Sequence, residues 1–82
     1  MVNVEFYPSF SKAFSKIKDH DITVRVKKQM RKILANPEIG KPMQYARKGT
    51  RELYIPPFRL SYIYLKEEGK ILFFYLYHKD EQ

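Results

Sequence analysis

The 82-residue chain carries 16 Lys+Arg against nine Asp+Glu, a net charge of +7, and is 44% hydrophobic and 16% aromatic. That length is one domain, expected to span residues 1–82. The absence of cysteine excludes a disulfide framework, a thiolate nucleophile and a cysteine-based zinc site. No run approaches the ~18–20 apolar residues of a membrane span, and Met1–Glu5 lacks the basic start and apolar stretch of a signal peptide. A cytoplasmic protein without a membrane partner is therefore expected, and its charge suits a polyanion such as RNA, DNA or an acidic protein.

Val2, Val4 and Phe6 alternate with Asn3, Glu5 and Tyr7, the period of a strand with one apolar face. Pro8 stops it, and Ser9 is placed to cap a helix. Phe10, Ala13, Phe14 and Ile17 then follow at helical spacing. Lys18–Asp21 reads as a turn, with a solvated His20. A second helix is predicted over Ile22–Ala35, with Val26, Met30, Ile33 and Leu34 as its apolar stripe. Arg25, Lys27, Lys28, Arg31 and Lys32 lie on its other side. Asn36-Pro37 ends it, because the residue before proline resists helical geometry.

Pro37, Gly40, Pro42 and Gly49 mark a loop, with a short strand expected at Met43–Ala46. Strands are then predicted at Arg51–Ile55, Phe58–Leu65 and Ile71–Tyr77. Pro56-Pro57 separates the first two, and a turn at Glu67–Lys70 using Gly69 separates the last two. The last strand is apolar on both faces and is expected inside the sheet. The order β-α-α-β-β-β predicts an α+β fold, a helical hairpin packed on a small, mainly antiparallel sheet.

The sequence lacks a Gly-rich phosphate loop, a His-Glu-x-x-His pattern, an EF-hand loop and a Gly-x-Ser-x-Gly elbow. What remains is a basic and aromatic cluster: Arg47, Lys48, Arg51, Tyr54, Arg59, Tyr77, His78 and Lys79. With the hairpin turn near 67–70, the spacing places Arg59 opposite His78, and a one-residue slip undoes this pairing. Such a pair suits metal-free RNA cleavage. Arg59 would stabilise phosphate charge, and His78 would act as general acid or base. Tyr54 or Tyr77 would stack on a base or bond the phosphate. The blander reading makes each of these a surface or core residue, and the basic side of helix 2 an ordinary wet face.

Arg51-Glu52-Leu53-Tyr54-Ile55, then Arg59-Leu60-x-Tyr62, then an apolar strand ending in His78 together resemble the RelE/ParE toxin superfamily, with YafQ-like features. The predicted element order matches over nearly the whole chain. The resemblance implies the toxin of a type II toxin–antitoxin pair. Its RelE-like reading is a ribosome-dependent endonuclease that cuts mRNA in the A site by 2′-hydroxyl attack. No cofactor or metal is implied, and the partners are a RelB-like cognate antitoxin in a hetero-oligomer, the ribosome and mRNA.

On that resemblance Arg59 matches the arginine of a Tyr-Arg-Leu-x-Tyr motif, with Phe58 in place of the first tyrosine. His78 resembles the catalytic histidine ending the last strand. Tyr54 stands where the YafQ-like branch has a histidine, and forms the third catalytic candidate. Arg47 and Lys48 resemble the basic pair before the family's glycine, here Gly49. Together with Arg51, Tyr77 and Lys79 they make up the expected RNA-binding set. Pro56-Pro57 replaces the usual polar turn, and the aromatic that often follows the last strand is missing. The alternatives are a ParE-like inhibitor of DNA gyrase that shares the fold, and a catalytically degenerate basic binding module.

Overall fold

The structure is a computed structural model that describes residues 2–44, 48–78 and 80. It opens with β1 (Asn3–Phe6), α1 (Pro8–Ser15) and α2 (His20–Ala35), followed by β2 (Lys41–Pro42) and β3 (Thr50–Ile55). β4 (Phe58–Leu65), a 3-10 turn (Lys66–Glu68) and β5 (Lys70–His78) complete it. The five strands form one sheet in the order β1-β5-β4-β3-β2. β1 runs parallel to β5, from Asn3 opposite Lys70 to Phe6 opposite Phe73, and the other neighbours are antiparallel. This is the α+β architecture read from the sequence, two helices on a five-stranded sheet.

Several local details differ from the sequence reading. Ser9 does not cap α1. Pro8 occupies the first turn after Tyr7, where its missing N–H costs nothing, and Ser9 Oγ instead donates to the Phe74 carbonyl at 2.7 Å. α2 begins earlier than predicted because Asp19 caps it, its side chain accepting from the Asp21 and Ile22 N–H groups. The short edge strand is Lys41–Pro42 rather than Met43–Ala46; of that predicted span, Tyr45 and Ala46 lie outside the described residues. Leu34, expected in the α2 stripe, is exposed.

The core lies between the helices and one sheet face. Phe10 from α1 and Val26 and Ile33 from α2 meet Ile55, Leu60, Tyr62, Ile71, Phe73 and Leu76 from the sheet. Burying each such side chain stabilises by about 1.5–3 kcal/mol. β5 is not interior along its whole length. β1 covers it only as far as Phe73, so residues 75–78 pair with β4 alone and Phe74 is the extra residue at the β4–β5 irregularity; Phe74 and Tyr75 are exposed. Among the described residues, no helix is long and apolar enough to cross a membrane.

The segment after α2 is tied to the sheet by Tyr62. Its hydroxyl donates to the Pro37 carbonyl at 2.7 Å and accepts from the Gly40 N–H at 2.9 Å. Gly40 is required here, since a Cβ would sit 2.6 Å from that hydroxyl oxygen. Arg51 secures the same segment, Nη1 donating to the Gly40 and Glu38 carbonyls at 2.7 and 3.0 Å.

Burial pushes the Tyr62 hydroxyl pKa up, against smaller lowering effects from the Gly40 N–H bond and Arg51. A phenol with a raised folded-state pKa holds its proton more tightly in the native state. Its contribution is therefore full below about pH 10 and is lost as pH rises through the folded value. Urea midpoints of wild type should fall faster than those of Tyr62→Phe between about pH 9 and pH 11. Gly40→Ala should destabilise by about 1–3 kcal/mol in the same assay.

Candidate active site

Register decides which side chains meet. Across β3, β4 and β5, Tyr54 pairs with Arg59 and Arg59 with Tyr77, while Glu52 pairs with Ser61 and Ser61 with Tyr75. Directly opposed residues share a face and successive residues alternate. Glu52, Tyr54, Arg59, Tyr75 and Tyr77 therefore project from one face. The intervening rows, Ile55–Phe58–His78 and Leu53–Leu60–Leu76, project from the other, which the helices cover.

This corrects the expected juxtaposition of Arg59 and His78. The partner of Arg59 is Tyr77, and that of His78 is Phe58. The register differs from expectation by the one residue that moves a side chain to the opposite face. The His78 ring lies edge-on to Phe58, centroids 5.4 Å apart. Its Nδ1 accepts from the Asp80 N–H at 3.2 Å and lies 3.7 Å from an Asp80 carboxylate oxygen.

On the helix-free face the central group is Glu52, a residue the sequence reading does not single out. Arg59 Nη1 donates to Glu52 Oε1 at 2.9 Å and the Tyr77 hydroxyl donates to Glu52 Oε2 at 2.7 Å. The Arg59 guanidinium lies over the Tyr54 ring, 5.5 Å from its centroid, within range of a cation–π attraction. Tyr54 is itself half exposed, at 51%. Arg59 Nε is buried and meets no acceptor among the described residues. A carboxylate, a cation, a phenol and an open aromatic ring thus converge at one end of three strands. The signal for Glu52 is present in the strand alternation, which puts it on the face of Tyr54 rather than that of Arg51.

The remaining site residues from the sequence do not join this group. Arg51 projects to the helix side, where its guanidinium is committed to the two loop carbonyls and lies 3.8 Å from the Glu38 carboxylate. Lys48 borders a cleft with Tyr64 and the 66–68 turn, roughly 20 Å along β4 from Arg59 at the strand rise of ~3.3 Å per residue. Arg47 and Lys79 lie outside the described residues. Among the described residues, no group of three or more His, Asp or Glu side chains is placed to hold a metal ion.

The strength of the clasp is measurable. In a double-mutant cycle of Glu52→Gln and Arg59→Ala, urea denaturation should give a coupling of about 0.5–3 kcal/mol, the range for residues in one ion-paired network.

A profile of the family described as the ParE toxin of type II toxin–antitoxin systems (parDE) matches residues 4–82. Among curated proteins, none matches the sequence significantly. Among solved structures, the isolated RelE toxin of E. coli superposes with a TM-score of 0.80 at 15% identity, covering 95% of this chain and 84% of that one. The toxin in an archaeal RelE–RelB complex from Pyrococcus horikoshii gives 0.78 at 13% identity, covering 99% and 98%. A chain of the E. coli DinJ–YafQ complex gives 0.66 at 20% identity, covering 99% and 97%. At these identities the superpositions speak for the fold.

Proposed function

The chain belongs to the ParE toxin family of type II toxin–antitoxin systems, and from that premise we propose that it is an endoribonuclease acting on mRNA in the ribosomal A site. The observation that carries this reading is the clasp of Glu52 between Arg59 and Tyr77, with Tyr54 open beside it. Metal-free RNA cleavage needs a base for the 2′-hydroxyl, a fixed cation for the phosphoryl oxygens and a proton for the departing 5′-oxygen. Glu52 takes the 2′-hydroxyl proton as that oxygen attacks phosphorus. Arg59 turns part of its donor fork to the phosphate and stabilises the charge that builds there. The P–O5′ bond breaks, and Tyr77 gives its hydroxyl proton to the 5′-oxygen. Glu52 then returns a proton to Tyr77, leaving a 2′,3′-cyclic phosphate and a 5′-hydroxyl. Tyr54 supplies a ring on which an unstacked base rests.

In this mechanism Glu52 replaces His78 as the proton acceptor. The exposed basic side of α2, carrying Arg25, Lys27, Lys28, Arg31 and Lys32, suits the phosphates of ribosomal RNA. The solved complexes of similar toxins, RelE with RelB and YafQ with DinJ, support a cognate antitoxin as the partner that restrains this chain.

A second reading, a toxin that poisons DNA gyrase without nuclease chemistry, is favoured by one specific observation. Arg59 is already neutralised by Glu52, which suits a site that is structural rather than poised for phosphate.

Primer extension on a translated mRNA with purified ribosomes separates the two. Wild type should cut. Glu52→Gln and Arg59→Ala should each cut about 10²–10⁴-fold more slowly, with circular dichroism unchanged. His78→Ala should retain the chemical step. No cleavage by folded wild type, together with inhibition of gyrase supercoiling that persists in Glu52→Gln, would reverse the assignment.

A further inference from the structure

β1 ends where Phe6 meets Phe73, so the second half of β5 has α1 rather than a strand beside it. Between them lies a cleft of about 480 Å³ bordered by Lys12 and Lys16 of α1 and by Phe58, Tyr75, Leu76 and His78 of the sheet. Leu76 is buried and Phe58 half-buried, which gives an apolar floor, while both lysines are exposed at the rim. Among the described residues, none bordering the cleft is acidic; a nearby carboxylate is that of Asp80, 3.7 Å from His78 Nδ1.

Two other clefts have a different character. The one beside Lys48 mixes Lys66 with Glu67 and Glu68, and so offers no net attraction to a polyanion. The one between α1 and α2 is bordered mostly by Phe6, Phe10, Phe14 and Met30, with Lys27 as its one cation among the described residues, a mainly apolar lining with a single contact for a phosphate.

The α1–β5 cleft meets the Glu52 site through Tyr75, which borders the cleft and touches Tyr77. Tyr77, which holds Glu52, lies 5.4 Å from Tyr75 between ring centroids, and Tyr75 lies 6.2 Å from Phe74. Phe74 in turn meets Tyr7 at 5.0 Å. Tyr75 is 47% exposed. Aromatic rings in series beside a cationic rim are the arrangement that single-stranded nucleic acid uses, bases stacking on rings and phosphates tracking the charge.

We propose that the cleft between α1 and the half-paired end of β5 binds the single-stranded RNA flanking the cut, with Tyr75 as a base platform and Lys12 and Lys16 as phosphate contacts. The strand passes from Arg59 and Tyr54 on the helix-free face, over Tyr77 and Tyr75 at the β5 edge, into the cleft. This path gives His78 a place beside the substrate although it projects away from Arg59. The proposal rests on the reading of the toxin as RNA-directed, and it extends the contact from one phosphate to several nucleotides.

The test is fluorescence anisotropy of a labelled single-stranded RNA decamer made uncleavable by 2′-O-methylation, titrated with the full chain at several salt concentrations. Binding is then read without cleavage. Tyr75→Ala should weaken it about tenfold or more, the loss expected of one stacked base. Lys12→Ala/Lys16→Ala should lower the slope of log affinity against log salt by about 1.4, from ~0.7 for each single-strand phosphate that a lysine no longer neutralises. Lys66→Ala, in the 3-10 turn, should bind as wild type does. All these side chains are exposed, and circular dichroism verifies the fold of each variant.

If Arg59→Ala weakens binding while the Tyr75 and Lys12/Lys16 variants match wild type, the cleft proposal is overturned and the RNA-directed reading survives. If wild type does not bind the decamer, the cleft proposal falls as well. If the cleft variants weaken binding yet ribosomes show no cleavage, the strand site stands and the nuclease assignment falls.

Discussion

The pairing of β4 with β5 governs the rest of the molecule, and within it the irregularity between Ser61 and Tyr62. A sheet has a side-chain period of two, so one shifted residue exchanges the buried and open sets. On the turn side of the shift, Tyr62 and Phe73 enter the core; on the other side, Leu60 and Leu76 do so. The shift lets both halves of a long hairpin bury their large residues. The same shift brings Tyr77 and Tyr75 to the outward face that Arg59 occupies. Bulges are enriched next to functional sites because they re-aim side chains, and here the re-aimed strand supplies Tyr77, one of the groups around Glu52, and Tyr75, the ring at the cleft.

The elements are more legible in the sequence than their contacts. The stripes Phe10–Ala13–Phe14 and Val26–Met30–Ile33 mark both helices, and the proline and glycine punctuation bounds β4 at the residues observed. Helical spacing and strand alternation are local properties, legible within a window of several residues. Cross-strand register is not local. The spacing around Gly69 predicts Arg59 beside His78, but the hairpin closes two residues out of that register, with Leu65 opposite Lys70, and the extra residue in β5 makes up only one of the two; neither feature can be read from a strand whose side chains are nearly all apolar or aromatic. The parallel pairing of β1 with β5 is likewise hidden, since nothing in Val2–Phe6 names a partner so distant in sequence. Capping is half legible. Ser9 and Asp19 are both good cap residues, yet Pro8 opens the first helix and releases Ser9 to hold the β5 backbone.

The candidate site shows the same division. Arg59 and Tyr77 are visible as basic and aromatic residues near the strand ends, and the family resemblance strengthens the case for Arg59. Glu52 gives only the weak signal of strand alternation, because a single carboxylate in a strand usually marks a solvent face. Its significance comes from having two donors at hydrogen-bond distance on different strands. Arg51 carries the opposite signal, a cation in the right stretch of chain whose donors are spent on the Glu38 and Gly40 carbonyls. Charge type and position in the sequence are the same kind of clue for both arginines; only their alternation across the β3–β4 pair separates an arginine that anchors a loop from one that faces a site.

The parallel ladder between β1 and β5 has a consequence for how the protein comes into being. An N-terminal strand whose hydrogen-bonded neighbour in the sheet is β5 must wait, unpaired, while every intervening element is synthesised, and closing so long a loop is a slow, entropically opposed step. Glu52 likewise waits for Tyr77, 25 positions later. The nascent chain therefore has neither a closed sheet nor an assembled clasp until β5 has emerged. Vectorial synthesis gives the cell an interval, set by the chain's own topology, in which the chain is being made but its clasp does not yet exist as a surface.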